Sequence, residues 1–149
     1  MKQIIYGALY LSIVAFECSG QSRLATIPTK LVDQIRKDVG GCAFEETITG
    51  FRKNLVGKSI DLNKDGQLEY LVEGDDMGRC ISGNKFRSFW VYRKSGEGYS
   101  MILGSSSSGL SVLKPTTRGY RDIKETSIDG ATTYSRTYRF DGNRYQPNR

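Results

Sequence analysis

The sequence predicts an α+β domain in which one N-terminal helix packs on a mostly antiparallel sheet of about six to eight strands. Three observations support this fold class. A chain of 149 residues fits one globular domain. Apolar residues recur at helical spacing only around residues 28–39. After Phe44, short runs rich in aromatic and β-branched residues alternate with turns that contain glycine and aspartate, which is typical of antiparallel strands.

The helix is predicted by the spacing of Leu31, Val32, Ile35 and Val39, which places four apolar side chains on one face. Pro28 suits the start of a helix, and two glycines at positions 40 and 41 suit its end. We expect this face to pack on the sheet.

The strands follow in order along the rest of the chain. Residues 132–140 alternate in polarity and place most of their aromatic side chains on one face, as in a half-buried strand. The serine-rich stretch 104–109 is predicted as a flexible loop. The remaining predicted strand segments are 59–61, 68–72, 86–93, 99–103, 110–114, 119–124 and a short one at Tyr145.

The first residues have the pattern of an export signal. An apolar run fills positions 4–16 and ends at Glu17. That length suits a signal peptide and falls short of the roughly 20 apolar residues that a permanent membrane helix needs. Because small residues stand at positions 19 and 20, we expect a signal peptide over 1–20 and one mature domain over 21–149, secreted or periplasmic.

Removal of that signal would leave Cys42 and Cys80 as the cysteines of the mature chain. In an oxidising compartment they are expected to form a disulfide. Closing a loop of about 39 residues would stabilise the fold by roughly 4 kcal/mol in the chain-entropy model.

Composition restricts the chemistry. The chain has no histidine, which excludes the Ser-His-Asp triad, the Cys-His dyad and histidine zinc sites. A glycosidase-like carboxylate pair and a Ser-Lys dyad stay open, but no motif supports either one. The sequence therefore predicts a protein that is not an enzyme.

The formal net charge is +6, and the basic residues are scattered along the chain. Such a charge on an exported protein suits acidic proteins, anionic polymers of the cell envelope or lipid head groups as partners, and the alternative is that it serves solubility alone. Export argues against nucleic acid, although basic and aromatic residues alternate at 134–140.

The sharpest local motif is the segment 61–69, Asp-Leu-Asn-Lys-Asp-Gly-Gln-Leu-Glu. It has oxygen-bearing side chains at positions 1, 3, 5 and 9 and a glycine at position 6, the spacing by which one loop wraps a hard cation such as Ca²⁺. The predicted ligands are the side chains of Asp61, Asn63, Asp65 and Glu69 and the main-chain carbonyl of Gln67. The alternative is an Asp-Gly turn without an ion.

This segment resembles the D-x-[DN]-x-D-G calcium loops. Val72 stands where an EF-hand has its bidentate glutamate, and strand-like sequence lies on both sides, so the segment is more similar to the loops of FG-GAP or integrin-type repeats. The resemblance implies a bound Ca²⁺ in a strand–loop–strand setting. It does not imply a propeller, because one copy is present.

A second, shorter resemblance lies at 82–86. This segment is similar to the S-G-x-x-Y loop of periplasmic lysozyme inhibitors, with phenylalanine in place of tyrosine. Its matching or loop residues are Ser82, Gly83, Lys85 and Phe86. The resemblance implies a loop that enters the active-site cleft of a secreted hydrolase. The net charge of +6 opposes encounter with a cationic lysozyme. The main functional prediction is therefore a non-catalytic binding module stabilised by calcium, and an inhibitor is the alternative.

Overall fold

The computed structural model describes residues 23–40, 47–74 and 86–148. The predicted signal peptide, the predicted Cys42–Cys80 disulfide and positions 82–85 of the predicted inhibitor loop lie outside the described residues. These three expectations therefore stay predictions.

The described part of the chain is mostly β-structure with two short helices. Helix α1 covers Thr29–Val39 and helix α2 covers Ile48–Lys53. Within the described ranges, neither helix is long and apolar enough to span a membrane. The strands are β1 Arg23–Leu24, β2 Leu55–Ile60, β3 Glu69–Gly74, β4 Arg87–Ser95, β5 Gly98–Ser107, β6 Gly109–Thr117, β7 Tyr120–Asp129, β8 Thr132–Phe140 and β9 Tyr145–Pro147.

The strands form two antiparallel sheets instead of one. The first sheet has five strands in the order β1-β2-β3-β4-β5, and the second has four in the order β6-β7-β8-β9. The antiparallel, β-rich character of the prediction is confirmed, and the single sheet of six to eight strands is wrong. The error arises because each strand pairs with its neighbour in sequence, a pattern that one sheet and two stacked sheets share.

The chain passes from one sheet to the other at Ser108. Its N–H donates to the carbonyl of Thr126 at 2.9 Å, and its Oγ accepts from the N–H of Ile128 at 2.9 Å, so this residue already bonds to β7. The predicted flexible loop at 104–109 is therefore wrong, since 104–107 belong to β5 and Ser107 is fully buried. Serine runs favour loops only when their hydroxyls face water.

The helices pack on one face of the five-stranded sheet. Leu31, Val32 and Ile35 of α1 are buried, as their spacing predicts, and they share a core cluster with Trp90 and Tyr92 of β4. Gly40, at φ 62°, ends the helix in a conformation that glycine adopts without strain. Helix α2 was not predicted from the sequence.

The other face of the five-stranded sheet packs against the four-stranded sheet. The residues of this second core are Ile60, Leu62, Val91, Ile102, Leu103, Ile123, Tyr138, Phe140 and Tyr145. In β8, the predicted alternation buries Tyr138 and Phe140, whereas Tyr134 is 59% exposed. The molecule is thus a stack of three layers: helices, a five-stranded sheet and a four-stranded sheet.

One buried hydroxyl joins the helical layer to the sheet. The Tyr92 hydroxyl donates to Asp38 Oδ2 at 2.8 Å, and the Tyr92 ring is fully buried. We expect Tyr92→Phe to lower the free energy of unfolding by about 1–2 kcal/mol, because it removes one hydrogen bond to a charged acceptor and leaves the ring packing intact. Urea denaturation measures this loss. A cost below about 0.3 kcal/mol would contradict a stabilising role for this bond.

Candidate metal centre

The predicted calcium segment forms the connection between β2 and β3. Strand β2 ends at Ile60 and β3 begins at Glu69, so the strand–loop–strand setting is observed. The loop reverses direction through Lys64 at φ 61° and Gly66 at φ 84°. A side chain at position 66 would meet nothing within 4 Å, so the glycine is required by its backbone conformation and not by crowding.

Three side chains at alternate positions bond to the loop's own backbone. Asp61 Oδ2 accepts from the N–H of Gly66 at 3.0 Å, and Asn63 Oδ1 accepts from the N–H of Asp65 at 3.1 Å. Asp65 Oδ1 accepts from the N–H of Gln67 at 2.7 Å, while Asp65 Oδ2 accepts from Asn63 Nδ2 at 2.7 Å. These bonds hold three of the predicted side-chain metal ligands, at loop positions 1, 3 and 5, within one turn.

Glu69 and Leu62 anchor this turn to the rest of the protein. Glu69 is only 2% exposed, and its Oε2 accepts from the N–H of Leu62 at 2.8 Å. The Leu62 side chain is buried in the second core, and its carbonyl accepts from the N–H of Arg121 at 2.9 Å. The loop is therefore fixed at its base to both sheets.

The burial of Glu69 makes its charge costly. Desolvation raises the pKa of Glu69 to about 7, and the charges of Asp65 and Asp61 add to the increase. The hydrogen bond from the Leu62 N–H acts in the opposite direction and lowers that pKa. Burial also raises the pKa of the nearby Tyr145 hydroxyl, with the charge of Glu69 as the second cause. A bound cation would offset this concentration of negative charge.

One oxygen of the loop is buried without a partner. Asp61 Oδ1 has no hydrogen bond, although solvent does not reach it. An unsatisfied buried carboxylate oxygen is costly, and such groups in native proteins call for an explanation. Ligation of a cation would satisfy it. The predicted donor atoms are all oxygens, the type that Ca²⁺ prefers, so the residues present fit a calcium ion.

The carboxylates are not gathered around one point. Within residues 23–40, 47–74 and 86–148, no group of three or more His, Cys, Asp or Glu side chains is placed to hold a metal ion. Hydrogen bonds explain why the carboxylates do not converge. Main-chain N–H groups of the loop donate to one oxygen each of Asp61 and Asp65, and the N–H of Leu62 donates to one oxygen of Glu69. Calcium ligation thus stays a prediction, and it requires these oxygens to turn toward a shared centre.

Sequence reasoning missed the role of Leu62. An apolar residue at position 62 is a hint of burial, but Leu68 in the same loop is 49% exposed, so the sequence does not distinguish the two. Of the second predicted site, only Phe86 is described, and it immediately precedes β4.

The fold and this site define a three-layer, β-rich domain with an acidic loop between two strands. Comparison of the chain with models of protein families, with curated proteins and with solved structures finds no match.

Proposed function

We propose that this protein is an exported, non-catalytic binding module that acts in the periplasm or cell envelope and is stabilised by one Ca²⁺ ion in the loop 61–69. The observation that carries the proposal is the buried, unpartnered Oδ1 of Asp61 beside the buried carboxylate of Glu69. Both features cost stability in the absence of a cation, and a cation bound in the loop would relieve both.

The same residues define how the ion would be held. Asp61, Asn63, Asp65 and Glu69 would contribute side-chain oxygens, and Gln67 would contribute its carbonyl. Calcium accepts six to eight oxygens at variable geometry, whereas magnesium requires a stricter octahedron and retains its water. The loop's oxygens and its turn geometry therefore favour Ca²⁺, with water completing the shell.

The proposed role as a binding module is supported by charge and by the absence of a catalytic motif in the sequence. The net charge is +6, and basic side chains are spread over both sheets. A positive field attracts acidic proteins or anionic envelope polymers during encounter. The partner is thus expected to be negatively charged.

Calcium binding is tested by thermal unfolding. We expect 10 mM CaCl₂ to raise the Tm by about 10 °C if the Kd is about 0.1 mM, since a ligand at 100 times its Kd stabilises by about 2.7 kcal/mol. Asp65→Ala removes a predicted ligand and should abolish the increase. Glu97→Ala, in the exposed turn between β4 and β5, is the matched control and should retain it.

Titration calorimetry gives the second measurement. The wild-type protein should release or absorb heat with millimolar Ca²⁺, and an equal concentration of Mg²⁺ should have a smaller effect. The absence of heat with Ca²⁺, or an equal rise in Tm in Asp65→Ala, would refute the calcium role.

A further inference from the structure

Strand β6 borders an open groove between the two sheets. Within the described residues, β6 pairs with β7 alone, so its other edge has no strand partner. Strand β6 contacts β4, and β7 contacts β5. Strand β6 therefore lies nearest to β4, and its unpaired edge points toward the side of the five-stranded sheet where β2 and β3 lie.

Two connected clefts mark this groove. They have volumes of about 120 and 240 Å³ and share Lys58, Leu71 and Leu110. Val56 and Phe89 line one end, and Val112 and Arg121 line the other. At about 3.3 Å per residue, the span from position 56 to position 60 of β2 matches an extended segment of roughly five residues.

Among the residues that the structure describes, nothing covers the open edge of β6 along the groove. Residues 109–112 pair regularly with β7 and carry neither a charge nor a proline. The devices that usually block an edge strand, a lysine and a proline, occur only farther along, at Lys114 and Pro115. Alternate residues of 109–112 therefore present main-chain N–H and C=O groups to an incoming strand.

The groove is lined by both apolar and cationic side chains. Val56 is 40% exposed, and Leu71 and Leu110 are only partly buried. The charge of Arg87 is paired with Glu73. Lys58, which is exposed, and Arg121 are the other cationic side chains that line the two clefts.

We propose that the groove binds an extended acidic peptide of a partner protein, which adds a strand to the edge of β6 and directs carboxylates to Lys58 and Arg121. Main-chain pairing supplies affinity, and alternate side chains supply specificity, as in other cases of strand addition. A second copy of this chain would bring the same positive charges into the groove, so an acidic partner fits better. This inference rests on the proposed role as a binding module, but it does not depend on the calcium loop.

The test uses synthetic peptides and the purified protein. The probe is a fluorescein-labelled six-residue peptide of alternating valine and aspartate, and fluorescence polarisation measures its Kd. We expect saturable binding, and a Kd at least tenfold higher for the peptide with lysine in place of aspartate. Two further peptides carry N-methyl groups on alternate peptide bonds, one on the odd-numbered bonds and one on the even-numbered bonds. The peptide whose methylated nitrogens face β6 should bind at least tenfold more weakly.

A charge reversal on the protein gives an independent test. Lys58→Glu should raise the Kd of the valine–aspartate peptide roughly tenfold, whereas Lys124→Glu, an equal charge change at an exposed position on β7, should change it less than twofold. Circular dichroism checks that both variants fold. The peptide variants leave the protein unchanged, so they decide the question even if Lys58→Glu does not fold.

Four results would overturn the inference: no binding of the valine–aspartate peptide, equal binding of the lysine peptide, full binding of both N-methylated peptides, or a dimer in sedimentation velocity that the peptide dissociates. The last result would make a second copy the occupant. Calcium titration of the same samples separates this inference from the proposed calcium role. A protein that binds Ca²⁺ but not the peptide refutes the groove alone, and the reverse result refutes the calcium role alone.

Discussion

Without calcium, the protein is expected to lose about 3 kcal/mol of stability as the pH rises from about 4.5 to above 7. The reason is Glu69, whose pKa is raised from 4.5 to about 7 by burial and by the charges of Asp65 and Asp61. Below pH 4.5 the carboxyl is protonated in both the folded and the unfolded chain, so it has no cost. Between pH 4.5 and 7 the unfolded chain ionises this carboxyl while the folded state keeps it protonated, which favours the unfolded state by about 1.4 kcal/mol for each pKa unit of the shift.

Urea denaturation at pH 4.5, 6 and 8 in EDTA measures this loss. Glu69→Gln is the matched variant, because glutamine keeps an oxygen that can accept from the Leu62 N–H but carries no charge. The slope of the free energy of unfolding between pH 4.5 and 7 should be much smaller in this variant than in the wild type. Equal slopes in the two proteins would show that Glu69 is not the titrating group.

Calcium should reduce the same loss. A bound cation favours the ionised carboxylate and lowers its pKa, so the wild-type protein in CaCl₂ should lose less stability over this range. The calcium-induced increase in Tm should therefore be larger at pH 8 than at pH 5. An increase that is independent of pH would mean that the ion does not contact Glu69.

The elements that could be predicted from the sequence are those with a local signal. Helix α1 was found at Thr29–Val39 because four apolar positions repeat at helical spacing between a proline and a glycine. The predicted glycine-containing turns include those at Gly96 and Gly130, where the glycines adopt positive φ values of 56° and 61° between paired strands. Such signals do not depend on the rest of the fold.

The division into two sheets has no comparable local signal. It depends on Ser108, whose main chain bonds to β7 while the preceding serines pair with β4. Ser105 donates to Glu125 Oε2 at 2.7 Å across the two sheets, and Ser107 is buried. Serine composition predicts exposure, and only the tertiary arrangement supplies the partners that make burial acceptable.

The candidate site shows the same limit. The position of the loop and its turn follow from the order of aspartate, asparagine and glycine, which the sequence displays directly. The burial of Glu69 does not, because it depends on the four-stranded sheet that covers it. The groove beside β6 also depends on how the two sheets stack, which strand order alone does not determine.

The largest loss of stability is expected for Phe51→Ala in helix α2. The Phe51 side chain is completely buried and belongs to the core cluster that joins α1 to the five-stranded sheet. Truncation of a buried phenylalanine to alanine removes its transfer free energy and leaves a cavity, which together cost about 3–5 kcal/mol. This is a large part of the roughly 5–15 kcal/mol that stabilises a domain of this size.

The position of α2 should depend on this one side chain. A six-residue helix is unstable alone, and α2 is also held by the Thr47 cap and by the bonds from Arg52 to Thr29 and to the carbonyl of Ile27. Ile48→Ala on the same helix is the matched control, because Ile48 is 39% exposed and should cost less than about 1 kcal/mol. Urea denaturation compares the two variants. Similar costs for both would mean that Phe51 does not fill the core, and that α2 is held by its hydrogen bonds instead.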